Sequence, residues 1–195
     1  MPTNHVPLRY ANLLPILLLI ATGAQFRSWG ITLDFWGDEA WWASRLHREP
    51  ITDVMFRPVG YMWLCKQLGT LVGNDLWFRL PSYLASIGTL IIIYLASGQI
   101  YKNRITCLTI LFISALHPKL IVFAKEFKPY STEIFLHCFL LYWALRCSRA
   151  RVFPLAFFVA CIASIPFCYN IIFLFPGLLW LLVAEQAKAM AKNIP

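Results

Sequence analysis

Charged residues are scarce in this chain: 13% of its 195 positions, against about 25% in soluble domains. Acids are scarcest, with nine Asp and Glu against 17 Lys and Arg, giving a net charge of +8. Together with 59% hydrophobic residues, this excludes a disordered chain and an ordinary soluble enzyme. The cations stand in short groups between apolar runs rather than on one polar face, which excludes a nucleic-acid-binding tail. No CxxC pair is present. Cys65, Cys107, Cys138, Cys147, Cys161 and Cys168 lie in or beside apolar segments and read as small hydrophobes, not as a disulfide framework or zinc site. A Gly-rich phosphate loop, a nucleophile elbow and an HExxH helix are also missing.

What is present is a series of long apolar runs. They occupy residues 8–26, 81–101, 105–123, 130–145, 152–167 and 171–184, with His117-Pro118 breaking the third. A crossing of the bilayer takes about 20 residues. The pattern therefore predicts an all-α, polytopic membrane bundle of about six spans, one transmembrane domain over residues 1–195. The first run has no convincing cleavage site after it, and Trp29 and Trp36 follow as an interfacial belt, so it reads as a retained span. Between it and the second run lies the segment 30–81, which holds most of the acids.

Lys/Arg bias in short loops sets orientation. The loops at 102–104 and 146–151 carry five cations and no acids, while the turn at 164–170 carries none. Both termini are thus expected in the cytoplasm, in keeping with Lys188 and Lys192. Residues 30–81 and 117–130 then share the outer face. In the outer segment, Gly37 precedes an acidic helix start, and 40–47 reads as a helix. Pro58 opens a second, running to about Val72 and ended by Gly73-Asn74-Asp75. Tyr61, Leu64, Cys65 and Leu68 fall on one of its faces, as expected for an amphipathic helix in the interface.

Two clusters could carry chemistry. Asp38-Glu39, just outside the first span, could take a proton from an acceptor hydroxyl or hold a divalent cation. It could equally serve only as a helix N-terminal pair. Lys125-Glu126-Phe127-Lys128-Pro129-Tyr130 sets two ammonium groups around a carboxylate at the mouth of a span. Those lysines could grip a phosphate, or merely snorkel to the interface. Arg57, before Pro58 at a helix start, and Arg79, before Leu80-Pro81, are further anion candidates or interfacial anchors. His117 is a lone histidine at a helix break, and His5, His47 and His137 have no partner pattern.

Taken in order, Asp38-Glu39, then Arg57-Pro58-Val59-Gly60-Tyr61, then Asn74-Asp75-Leu76-Trp77-Phe78-Arg79-Leu80-Pro81-Ser82, then Glu126-Phe127-Lys128-Pro129-Tyr130, resemble the N-terminal half of membrane glycosyltransferases of the GT-C fold. The branch is that of bacterial relatives of protein O-mannosyltransferases and aminoarabinose transferases, and the likeness covers most of residues 10–145. It implies a transferase of the bacterial inner membrane and cell envelope that moves sugar from a polyprenyl-phosphate donor on the outer side.

By motif match, Asp38 is implied as catalytic base, or as metal ligand where a divalent cation serves as cofactor, with Glu39 assisting. Arg57, Lys125 and Lys128 are implied at the donor phosphate, and Glu126, Tyr130 and Arg79 in the pocket. Arg57 stands where many relatives have His, and Lys128 where they have Arg; a Lys lacks Arg's bidentate fork. Implied partners are the lipid-linked sugar donor, membrane lipid and a second membrane chain supplying further spans; nucleic acid is not among them. A non-catalytic binder of polyprenyl phosphate, or a scaffold, is the rival from another class, since it keeps the cations and makes Asp38 dispensable. A small transporter ranks last, because the runs 84–98 and 152–164 hold no ionisable group of the kind a midplane ion site needs.

Overall fold

The structure, a computed structural model, describes residues 13–31, 33–48, 50, 57–72, 74–150 and 155–191. Outside the described residues lie the start of the first run with Arg9, His5, the connection at 51–56, Gly73, Arg151 with 152–154, and Lys192. Every regular element among the described residues is helical: α1 (Leu14–Ser28), α2 (Gly37–Arg48), α3 (Val59–Val72), α4 (Leu80–Ile100), α5 (Arg104–Leu116), α6 (Pro118–Lys125), α7 (Tyr130–Ala150), α8 (Leu155–Ser164) and α9 (Ile171–Ala191), with 3-10 turns at Asp75–Arg79 and Ile165–Phe167. The all-α expectation holds. Helix α2 begins at Gly37 itself, so Asp38 and Glu39 lie inside its first turn.

Local chemistry explains the boundaries. Pro81 sits in the first turn of α4, where its missing N–H costs nothing. Asn103 caps α5, its side chain accepting from Ile105 N at 2.9 Å. His117 is extended, as a residue before proline prefers, and Pro118 restarts the chain as α6 at a bend of 51°. This break removes the usual donor for the Ser114 carbonyl, because position 118 has no N–H. Arg27, fully buried in the last turn of α1, fills the gap. It donates to Ser114 O (3.1 Å), Ala115 O (2.8 Å), Gly23 O (2.9 Å) and Ser86 Oγ (2.7 Å), tying α1, α4 and α5 together.

Helix α4 is the hub, packing on α1, α5, α6 and most extensively on α7. Gly88 allows the close approach to α7: a Cβ there would lie 2.7 Å from the Phe135 ring. Three apolar cores result. One joins α1, α4 and α5 around Leu90 and Leu111. A second joins α7, α8 and α9 around Leu140, Phe157 and Leu182. The third lies under α2 and α3, around Leu46, Tyr61, Met62, Phe78 and Phe127. The expected α3 face is seen there, with Tyr61 and Cys65 buried and Leu64 and Leu68 half-buried.

The count of six spans is not reached on length and composition. One helical stretch among the described residues, Trp77–Ile100, is long and apolar enough to cross a bilayer, and α5 with α6 passes as a bent pair. Helix α8 has ten residues, about 15 Å at 1.5 Å each, half of a hydrocarbon core of about 30 Å. Helix α7 has the length of α4, yet it carries Glu133, His137 and Arg146. Many outward-facing side chains are nonetheless large and apolar, among them Leu17, Ile105, Ile113, Val159, Phe173 and Trp180.

Candidate functional site

The site forms where the chain leaves α1, enters α2, and passes from α6 to α7. Gly30, at φ +81°, takes the left-handed turn after α1 that few side chains tolerate. The turn presents three backbone carbonyls to Arg79, whose Nη1 donates to Ile31 O (2.8 Å) and Leu33 O (2.6 Å) and whose Nη2 donates to Asp34 O (3.2 Å). The guanidinium also lies over the Phe35 ring at 4.8 Å.

Glu39, expected to assist Asp38, faces inward instead. Its Oε2 meets Arg79 Nη2 at 2.7 Å and accepts from Trp36 N at 3.1 Å. Its Oε1 accepts from Phe127 N. Both side chains of this ion pair are almost fully buried. Glu39 is therefore a staple: it fixes the start of α2 to the 126–130 segment and neutralises a buried cation. Arg79 is the other half of that staple, so the expected pocket residue acts first as a framework residue.

Stapling Glu39 leaves Asp38 on the outward side of the same turn, half-exposed, with Lys128 Nζ 2.9 Å from its Oδ2. The same ammonium is 3.5 Å from Glu126 Oε2. The hydrogen bond from Lys128 holds the Asp38 carboxyl below its ordinary range. Partial burial pulls the Lys128 ammonium down, but Asp38 and Glu126 outweigh it and raise the group overall. The backbone at Lys128 is fixed as well: Ser82 Oγ donates to Lys128 O at 2.7 Å and shares a 2.9 Å hydrogen bond with Tyr61 OH. Ser82 was legible only as a motif member, and Tyr61 as that and as part of the apolar face of α3; their role as supports needs the tertiary structure.

Arg57 reaches the site from the other side. Its guanidinium stacks over Trp42 at 4.4 Å, and Nη1 donates to Phe127 O at 3.1 Å. Burial lowers its pKa from the ordinary arginine value. Tyr169, a residue the sequence did not single out, bridges the turn around Pro58: its hydroxyl accepts from Val59 N and donates to Arg57 O, each at 3.2 Å. Gly60 lies so close to Pro166 that a Cβ would be 3.0 Å from its carbonyl oxygen. The 164–170 turn, the 57–60 turn and the 126–130 segment thus share one end of the molecule. Tyr130 is partly exposed, its ring packed on Phe123 at 4.9 Å. His117 stands exposed at the α5/α6 break, and His137 lies 3.8 Å from the buried thiol of Cys168.

A cavity of about 230 Å³ opens beside this network, lined by Trp29, Gly30, Leu33, Trp36, Arg79, Val122, Lys125 and Glu126. Trp29, Leu33 and Trp36 are largely exposed. Lys125 and Glu126 bring a cation and a carboxylate to the wall, so the cavity and the Asp38 network share Glu126. A divalent cation does not fit at Asp38: an ammonium occupies its near side, Glu39 turns away to Arg79, and among the described residues no group of three His, Cys, Asp or Glu is disposed to hold a metal. No family model, curated protein or solved structure matches the chain.

Proposed function

We propose that the chain is the membrane core of a lipid-dependent glycosyltransferase, moving a sugar from a polyprenyl-phosphate donor to an acceptor hydroxyl at the outer membrane face. The observation that carries this reading is the ion pair of half-exposed Asp38 with Lys128, two residues far apart in sequence, beside an indole-rimmed cavity. Asp38 removes the acceptor proton as the acceptor oxygen bonds to the anomeric carbon. The bond from that carbon to the phosphate oxygen breaks, and polyprenyl phosphate leaves with the electron pair. The proton ends on Asp38. The leaving group is already anionic, so it needs cationic stabilisation rather than a proton donor.

The membrane part of the proposal has six crossings and both termini in the cytoplasm of a bacterial cell. Its support is the outward-facing apolar surface, the bent α5/α6 pair, Lys102 and Arg104 at the α4–α5 junction and Arg146 in the C-terminal part of α7. A second reading, a non-catalytic binder of polyprenyl phosphate, gains from the same ion pair, in which Asp38 is already engaged by Lys128.

The deciding experiment is transfer of radiolabelled sugar from a polyprenyl-phosphate donor by the full chain in membranes. Loss of a general base costs about 10²–10⁴-fold, so Asp38→Asn should fall by at least that lower bound while still binding lipid phosphate. Transfer unchanged by Asp38→Asn removes the catalytic role. Lipid binding with no transfer by the unaltered chain selects the second reading.

A further inference from the structure

We infer that the anionic head of the lipid ligand is seated by Lys125 in the cavity beside Trp29 and Trp36, while Lys128 serves as the counter-ion of Asp38. The inference rests on the lipid-phosphate reading above and assigns its cations.

The three cations expected at the phosphate differ sharply in what already surrounds them. Lys128 lies between two carboxylates, at 2.9 and 3.5 Å. That group of three carries a net negative charge, and an arriving phosphate would meet Asp38 and Glu126 as well as the ammonium. Arg57 is committed to the Trp42 face and the Phe127 carbonyl. Lys125 has no ion-pair or hydrogen-bond partner among the described residues, and it lines the cavity. Arg79, on the same wall, is balanced by Glu39, yet its buried Nε–H has no acceptor. The cavity therefore holds one ammonium outside any ion pair and one unsatisfied donor, beside a carboxylate, Glu126, that Lys128 already engages at 3.5 Å.

The remaining wall suits an amphiphile. Leu33 and Val122 are apolar, and Trp29 and Trp36 present indoles at the rim. Indoles favour the boundary between headgroups and hydrocarbon. At roughly 30 Å³ per water, 230 Å³ has room for a phosphate and the first atoms of its chain, not for a whole lipid. An anionic head inside and an isoprenoid tail leaving past the tryptophans fits both features.

The test uses the full chain in nanodiscs of neutral phosphatidylcholine, titrated with farnesyl phosphate, farnesol or inorganic phosphate and followed by tryptophan fluorescence. Farnesyl phosphate should bind at least about tenfold tighter than farnesol, the scale of one charge-assisted contact. Lys125→Met should erase that preference without weakening farnesol, and Lys125→Arg should restore it. A preference that survives Lys125→Met overturns the assignment while leaving the lipid-phosphate reading in place. Equal binding of farnesyl phosphate and farnesol by the unaltered chain sinks that reading and this inference together. Inorganic phosphate binding as tightly as farnesyl phosphate overturns the lipid identity of the ligand.

Discussion

Glu39 and Arg79 meet at 2.7 Å in the interior, and their pairing leaves the neighbouring Asp38 facing outward beside Lys128. Removing one partner of a buried pair strands the other charge, at a cost of about 3–5 kcal/mol. Glu39→Gln also weakens the acceptors for Trp36 N and Phe127 N. The variant should unfold at a markedly lower temperature in detergent. A melting temperature unchanged by Glu39→Gln would show that the pair does not hold the site together.

Arg27 makes a second such prediction. It supplies donors to Ser114 O and Ala115 O at the break before Pro118, and to Ser86 Oγ on α4. Arg27→Met keeps much of the aliphatic volume but leaves those acceptors unsatisfied, at about 1–3 kcal/mol for each buried group. We expect a loss of about 3 kcal/mol or more in denaturant unfolding, with the α5/α6 region opening first in hydrogen exchange. Uniform exchange across the chain would contradict the local role.

How far the sequence showed this depends on the kind of signal. Helix α4 was legible because an apolar run has Pro81 at one end and Lys102 at the other. The α5/α6 break was legible because proline acts locally. Loop charges set residues 30–81 and 117–130 on one side of a membrane, an expectation in keeping with the contact of Asp38 with Lys128. Which carboxylate faces inward was not legible: neighbours on a helix point about 100° apart, and the choice depends on Arg79 and Phe127 arriving from elsewhere. Arg27 was not singled out, because its reach to the Ser114 carbonyl, which Pro118 leaves without a donor, depends on α1 packing against α5. The division of the three phosphate candidates also depended on tertiary partners: two carboxylates for Lys128, an indole and a carbonyl for Arg57, and neither for Lys125.

Gly69 tests the packing that carries Phe78 and Arg79. A Cβ at this position would run into the ring of Phe78, which is buried with Tyr61 and Phe127. Helix propensity alone favours Ala over Gly by about 1 kcal/mol. Overpacking should reverse that sign: Gly69→Ala is expected to destabilise by about 1–3 kcal/mol. Phe78→Leu in the same background should recover part of the loss, because the shorter side chain vacates the clash. A Gly69→Ala variant more stable than the original chain would refute this packing.

Acid should loosen the Asp38 contact in a defined direction. Lys128 lowers the Asp38 pKa in the folded chain, so the unfolded chain binds the proton more tightly. The pair's contribution is fully present above the unfolded value of about 3.9 and disappears as pH falls through the lower folded value. Because Asp38 is half-exposed, that contribution is small, about 1 kcal/mol or less. In Asp38→Asn this component of the acid dependence should vanish. Unfolding midpoints measured between pH 2 and 7 for both chains give the comparison. Parallel curves over the whole range would mean that Lys128 does not hold Asp38 in solution.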